Sequence, residues 1–210
     1  MISEKSLDRI RSDMQKRLGE KRFCHTLGVE KEMRNLARIY MPAEETVAAA
    51  AGLLHDITKE LSLKEQLALA EKYGIDIPEE EKASAALLHA KTGAFYAKEA
   101  YPSVVNKSVF SAILKHTTAN GEMTLLDKLL YLADFIEEGR SYPSCIRVRQ
   151  AFYEGINSAT DKLAFLNAIM IEAYDASLEA LRRENLYISP STLMAKEVAE
   201  KERIASQGKK

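Results

Sequence analysis

At 210 residues the chain fits one medium domain, or a domain with a small appendage, and is too short for two full enzyme domains. Its 46% hydrophobic and 29% charged residues make a globular rather than disordered balance, and 30 basic against 31 acidic side chains leave a formal charge of -1, which argues against a nucleic-acid partner held by counterion release. Two cysteines, Cys24 and Cys145, argue against a disulfide scaffold and for a reducing, cytoplasmic compartment, and no apolar run approaches the roughly 18 residues of a membrane span.

Strict alternation of β-branched residues is absent, so the fold class expected is all-α. Leu7, Ile10, Met14 and Leu18 form one face of a first helix that ends near Gly19. A second runs from about Arg22 through Leu27, Met33, Leu36 and Tyr40 until Pro42 interrupts it. The third, from about Glu44 to His55, is nearly all apolar in VAAAAGLL and so belongs at the centre of the fold. Ser62 with Glu65 three residues on is a capping box, opening a short helix that Gly74 closes in a left-handed conformation.

After Pro78, helices are expected through the eighties to Ala100, from Val104 to Lys115 and from Thr124 to Glu138. Residues 139–143 read as a loop, followed by helices over 146–156 and 161–184. SPST at 189–192 caps a last, very polar helix. The expected organisation is one domain over 1–188 with a polar C-terminal helix and tail over 189–210.

The four histidines, His25, His55, His89 and His116, fall in or at the end of four different expected helices. A lone histidine is usually an ordinary core or surface residue, but these stand with two awkward carboxylates. Asp56 follows His55 at the end of an apolar helix, and Asp134 interrupts LLYLADFIEEG. A carboxylate so placed is costly unless it is paired, hydrogen-bonded or bound to a metal. Imidazoles and carboxylates from neighbouring helices form a ligand set for a divalent transition metal, whose charge offsets their desolvation. Successive members are separated by 30, 34, 27 and 18 residues if His55 and Asp56 count as one, so tertiary packing must assemble the site. Nitrogen and oxygen donors suit iron, manganese, cobalt, nickel or zinc alike.

The order His25, His55-Asp56, His89, His116, Asp134 resembles the extended signature of HD-domain metal-dependent phosphohydrolases. The words RFCHTLGV at 22–29, AGLLHDITKE at 51–60, HAKTGAFYAKE at 89–99, LKHTTA at 114–119 and LDKLLYLADFIEEGR at 126–140 are similar to the YqeK group. These are bacterial symmetrical diadenosine tetraphosphate hydrolases, which split their substrate into two ADP. The resemblance covers nearly the whole chain.

It implies a single HD-domain helical bundle with a metal site between central helices. It also implies His25, His55, Asp56 and Asp134 as metal ligands, iron as the metal, and either one or two ions. Asp56, Lys59, His89 and His116 are then catalytic. Lys59, His89, His116, Thr117, Arg140, Tyr187 and Ile188 meet a dinucleoside polyphosphate substrate or its ADP product. Another HD nucleotide phosphohydrolase, such as a deoxynucleotide 5′-phosphatase or a phosphodiesterase, would use the same cage, as would a non-catalytic metal-stabilised nucleotide-binding module. A homodimer is compatible with all of these. Asp127, two turns before Asp134, is expected either to fix a ligand histidine's tautomer or to pair with a nearby Lys or Arg. Cys24, about 100° around the helix from His25, is expected in the core rather than as a ligand.

Overall fold

The computed structural model describes residues 2–207, and among them all regular structure is helical, as expected. The packing divides into two units. The first comprises the chain up to Thr117 together with Thr124–Gly139; the second comprises Thr118–Met123 and the chain from Arg140 onward.

The first unit contains α1 (Glu4–Arg17), α2 (Glu20–Tyr40), α3 (Glu45–Leu54), α4 (Leu63–Lys72), α5 (Ala85–Ala100), α6 (Lys107–Lys115) and α7 (Leu125–Ile136). Helix α3 lies at its centre, packed against α1, α2, α6 and α7. Every residue from Ala48 to Leu54 is buried, which accounts for the unbroken apolar run. Small side chains let the neighbouring helices approach closely. At Gly52 a Cβ would come within 3.0 Å of the Glu30 backbone Cα on α2, so any larger residue would force the two helices apart by a few tenths of an ångström.

The caps fix the helix starts that bear on the site. Ser62 accepts from the Glu65 backbone while Glu65 reaches back to the Ser62 N–H at 2.8 Å, forming the capping box expected for α4. Gly74 closes that segment at φ 62°, in the left-handed region. Helix α6 begins at Lys107, three residues later than expected, because the Asn106 side chain caps it by accepting the Val109 N–H at 2.9 Å. Thr124 and Asp127 form a second capping box at the start of α7.

The second unit contains α8 (Pro143–Gly155), α9 (Lys162–Arg183) and α10 (Pro190–Gln207). Helix α9 packs against both others, and Phe152, Leu166, Met170 and Tyr174 are buried. Helix α8 begins at Pro143 rather than 146, since a proline is well tolerated in a first helical turn, where its missing N–H would have no partner. Helix α10 buries Ala195 and Ala199, and Thr192 Oγ1 donates to the Thr118 carbonyl at 2.7 Å. The expected tail at 208–210 lies outside the described residues.

Candidate metal centre

Five helices of the first unit deliver the six residues. His25 stands in the second turn of α2, His55 and Asp56 follow α3, His89 lies in α5, His116 ends α6, and Asp134 is in the last turn of α7. His55, Asp56, His89 and His116 are buried, while His25 and Asp134 are half-buried.

The rings converge through their Nε2 atoms. His25 Nε2 lies 3.3 Å from His55 Nε2, and His89 Nε2 lies 3.0 Å from His116 Nε2. Asp134 Oδ1 is 3.0 Å from His25 Nε2. Asp56 stands between the two pairs, with Oδ2 3.3 Å from His55 Nε2 and Oδ1 3.2 Å from His89 Nε2. The donor atoms of His25, His55 and Asp134 lie within 4.8 Å of one another, as do those of His55, Asp56 and His116.

The opposite ring nitrogens fix the chemistry of these contacts. Nδ1 of His55, His89 and His116 lies 2.7 Å from the carbonyl of Gly52, Ala86 and Ile113, respectively. A carbonyl only accepts, so each Nδ1 carries the proton and donates it. His25 differs, because its Nδ1 lies 3.1 Å from Glu137 Oε1, the carboxylate of the residue that ends α7. Each Nε2 is therefore a lone pair unless the ring gains a second proton, and each faces another Nε2 or a carboxylate oxygen.

Burial would raise the Asp56 carboxyl, but positive charge on the surrounding His55, His116 and His89 rings outweighs it and holds Asp56 well below the usual carboxylate range, so this carboxylate stays ionised where positive charge stands beside it. His89 moves the other way. Burial pushes it down to about 4 against the pull of Asp56, and the charge of Lys59 adds to the fall. A ring that is neutral at pH 7 has no second proton for Asp56. The His89 Nε2 lone pair then faces an Asp56 oxygen, acceptor to acceptor. A divalent cation satisfies such a set, and the chemistry of the donors therefore fits one.

The 55–60 turn is clamped from several sides. Arg22 Nη1 donates to Asp56 Oδ2 at 2.8 Å, and Glu60 Oε2 accepts the Gly19 N–H at the start of α2 at 2.7 Å. Thr58 Oγ1 donates to the His89 carbonyl at 2.9 Å, and Gln66 Nε2 donates to the Thr58 carbonyl at 2.5 Å. Lys59 emerges from this turn with Nζ 3.3 Å from both ring nitrogens of His89. Thr117 Oγ1 lies 3.1 Å from His89 Nε2 and 3.2 Å from His116 Nε2.

The first unit thus brings together His25, His55, Asp56, Lys59, His89, His116, Thr117 and Asp134. Arg140, Tyr187 and Ile188 belong to the second unit. There the Arg140 carbonyl accepts from Arg149 at 2.8 Å, Tyr187 is exposed and Ile188 is half-buried. Asp127 takes the second of its two expected roles. It caps α7, accepts from Lys115 Nζ at 3.0 Å and from Ser111 Oγ at 3.1 Å, and orients no ligand histidine. Cys24 is exposed, which corrects its expected place in the core: the helical rotation that separates it from His25 carries it outward. Arg22 and Glu137 were not anticipated.

The HD domain family matches residues 22–138, the stretch that carries all six converging residues. The chain belongs to the HD-domain family. A Halalkalibacterium halodurans protein named symmetrical bis(5′-nucleosyl)-tetraphosphatase is 31% identical over 185 residues, covering 84% of this chain and 87% of that protein. A Bacillus subtilis protein of the same name is 29% identical, covering 86% of this chain and 90% of that one. The crystal structure of a predicted HD superfamily hydrolase involved in NAD metabolism from Clostridium acetobutylicum aligns with a TM-score of 0.82 at 29% identity, over 96% of this chain and 99% of that one. No helix among the described residues is long and apolar enough to cross a membrane.

Proposed function

We propose that the protein is a metal-dependent phosphohydrolase that cleaves diadenosine tetraphosphate symmetrically into two ADP. The observation that carries this reading is the set of four imidazole Nε2 atoms and two carboxylates converging beside the Lys59 ammonium. The names of the similar proteins supply the substrate and the symmetry of the cut.

In this reading His25, His55, Asp56 and Asp134 hold the metal, with iron proposed because the YqeK resemblance implies it; the nitrogen and oxygen donors are compatible with it. A divalent cation held there supplies Lewis acidity and lowers the pKa of bound water towards neutrality. Lys59 offers a positive charge, and Thr117 a hydroxyl, to phosphate oxygens on the His89–His116 side. Asp56, His89 and His116 line that side and orient the reacting groups. Arg140, Tyr187 and Ile188 are proposed as further substrate contacts. We assign the reaction to residues 1–188, with the polar segment 189–210 outside it.

The reaction is a balanced hydrolysis. The oxygen of water bonds to one of the two central phosphorus atoms, the bridging oxygen departs with the electron pair of the broken P–O bond, and one proton is released. Both products are ADP. The scarcity of cysteines, only Cys24 and Cys145 in 210 residues, supports a reducing, cytoplasmic location. The exposed Tyr142, Ile146 and Leu163 of the second unit support a homodimer, which sedimentation velocity checks.

Incubation of the metal-loaded protein with diadenosine tetraphosphate tests the function directly. ADP as the sole nucleotide product is expected. ATP with AMP, or no turnover, would overturn the proposal.

A further inference from the structure

Three of the four converging rings donate Nδ1–H to a carbonyl three residues earlier in their own chain segment. His25 instead donates to the carboxylate of Glu137, 112 residues away in sequence and only 3% exposed. The surroundings are shaped for that carboxylate. Glu137 Oε2 accepts the Gly139 N–H at 2.6 Å. On α2, a Cβ at Gly28 would come within 2.4 Å of Glu137 Oε2, so a glycine inside a helix makes the room. Glycine in a helix interior is destabilising by roughly 0.5–1 kcal/mol relative to alanine, and a close neighbour such as this one explains its presence.

We infer that Glu137 is a positioning residue. It fixes His25 as the Nδ1–H tautomer, presents Nε2 towards Asp134 and His55, and strengthens that nitrogen as a metal ligand. A carboxylate behind a ligand imidazole raises its basicity and sets its orientation, and losing it typically weakens metal binding by roughly 10- to 100-fold. The metal half of this inference rests on the function proposed above; the tautomer half does not.

Glu137→Gln and Gly28→Ala test it in the full-length protein. A glutamine has an acceptor at only one end; with that oxygen held by the Gly139 N–H, its NH2 faces His25 and requires Nδ1 to accept. Gly28→Ala displaces Glu137 without altering its chemistry. The first measurement is the ring tautomer of His25 in metal-free protein, by 15N-resolved NMR at alkaline pH, where a ring keeps one proton. The second is the affinity for Mn2+, followed by the electron paramagnetic resonance of the free ion, with circular dichroism verifying the fold.

The expected result is an Nδ1–H ring in the parent protein, a shift towards Nε2–H in both variants, and Mn2+ affinity reduced about 10- to 100-fold at unchanged stoichiometry. An Nε2–H ring in the parent protein, or variants with unaltered tautomer and affinity, would overturn the inference. If the parent protein takes up no Mn2+ while the tautomer still shifts in both variants, the positioning role stands and the metal reading falls.

Discussion

The Lys59 ammonium stands 3.3 Å from both ring nitrogens of His89, while the Nδ1 proton of that ring is committed to the Ala86 carbonyl. The lysine therefore approaches a lone pair at Nε2, where its charge is available to a phosphate oxygen. Lys59→Ala is expected to reduce kcat/KM for diadenosine tetraphosphate by about 100- to 1,000-fold, the usual effect of losing one charge-stabilising donor. Metal content should not change, and Lys59→Arg should recover part of the rate. Steady-state kinetics with elemental analysis of each variant checks this.

The carboxylates should behave differently. Asp56→Ala and Asp134→Ala each remove an oxygen from the converging donor set, and both are expected to abolish metal loading and ADP release together. Helical circular dichroism should persist. Chelation of the parent protein should likewise stop turnover, and adding the divalent metal back should restore it. Turnover in a verified metal-free sample would contradict the assignment.

Gln66 is fully buried. Its amide donates to the Thr58 carbonyl, and its oxygen accepts from the Thr92 hydroxyl. Gln66→Ala leaves buried polar groups unmet and is expected to cost about 1–3 kcal/mol of stability. The denaturation midpoint in urea reads this directly. Because Thr58 bonds the His89 carbonyl, the variant should also lower kcat more than it changes KM.

Acid should destabilise the metal-free protein through His89. The folded ring has its pKa pushed down to about 4, whereas an unfolded histidine titrates near 6.5. Between those values the unfolded chain binds more protons, so stability rises with pH across the window. Lowering the pH from 6.5 to 4 is expected to remove on the order of 3 kcal/mol at this position, and His89→Gln should flatten the dependence. Equilibrium unfolding at a series of pH values checks the slope and its sign.

Much of the site was legible because its members break local rules. Asp56 and Asp134 interrupt apolar helices, and each histidine has an unmistakable residue type. Glu137 was illegible for the opposite reason: in FIEEGR it reads as one more solvated acid at a helix end, and only the packing of α7 against α2 buries it. The available signal was on the other helix of the contact, in Gly28, a glycine inside α2 that helix propensity alone does not explain. Pro143 and Asn106 moved two helix starts for related reasons. A proline is compatible with a first turn, and an asparagine cap is recognised by its geometry rather than by hydrophobic period.

The division between three rings held by nearby carbonyls and one held by a distant carboxylate sets an order of failure. Loosening that leaves each helix intact preserves the orientation of His55, His89 and His116, whereas any parting of α2 from α7 frees His25 to rotate. Thermal inactivation should therefore begin at that seam, with ion release preceding loss of helical signal.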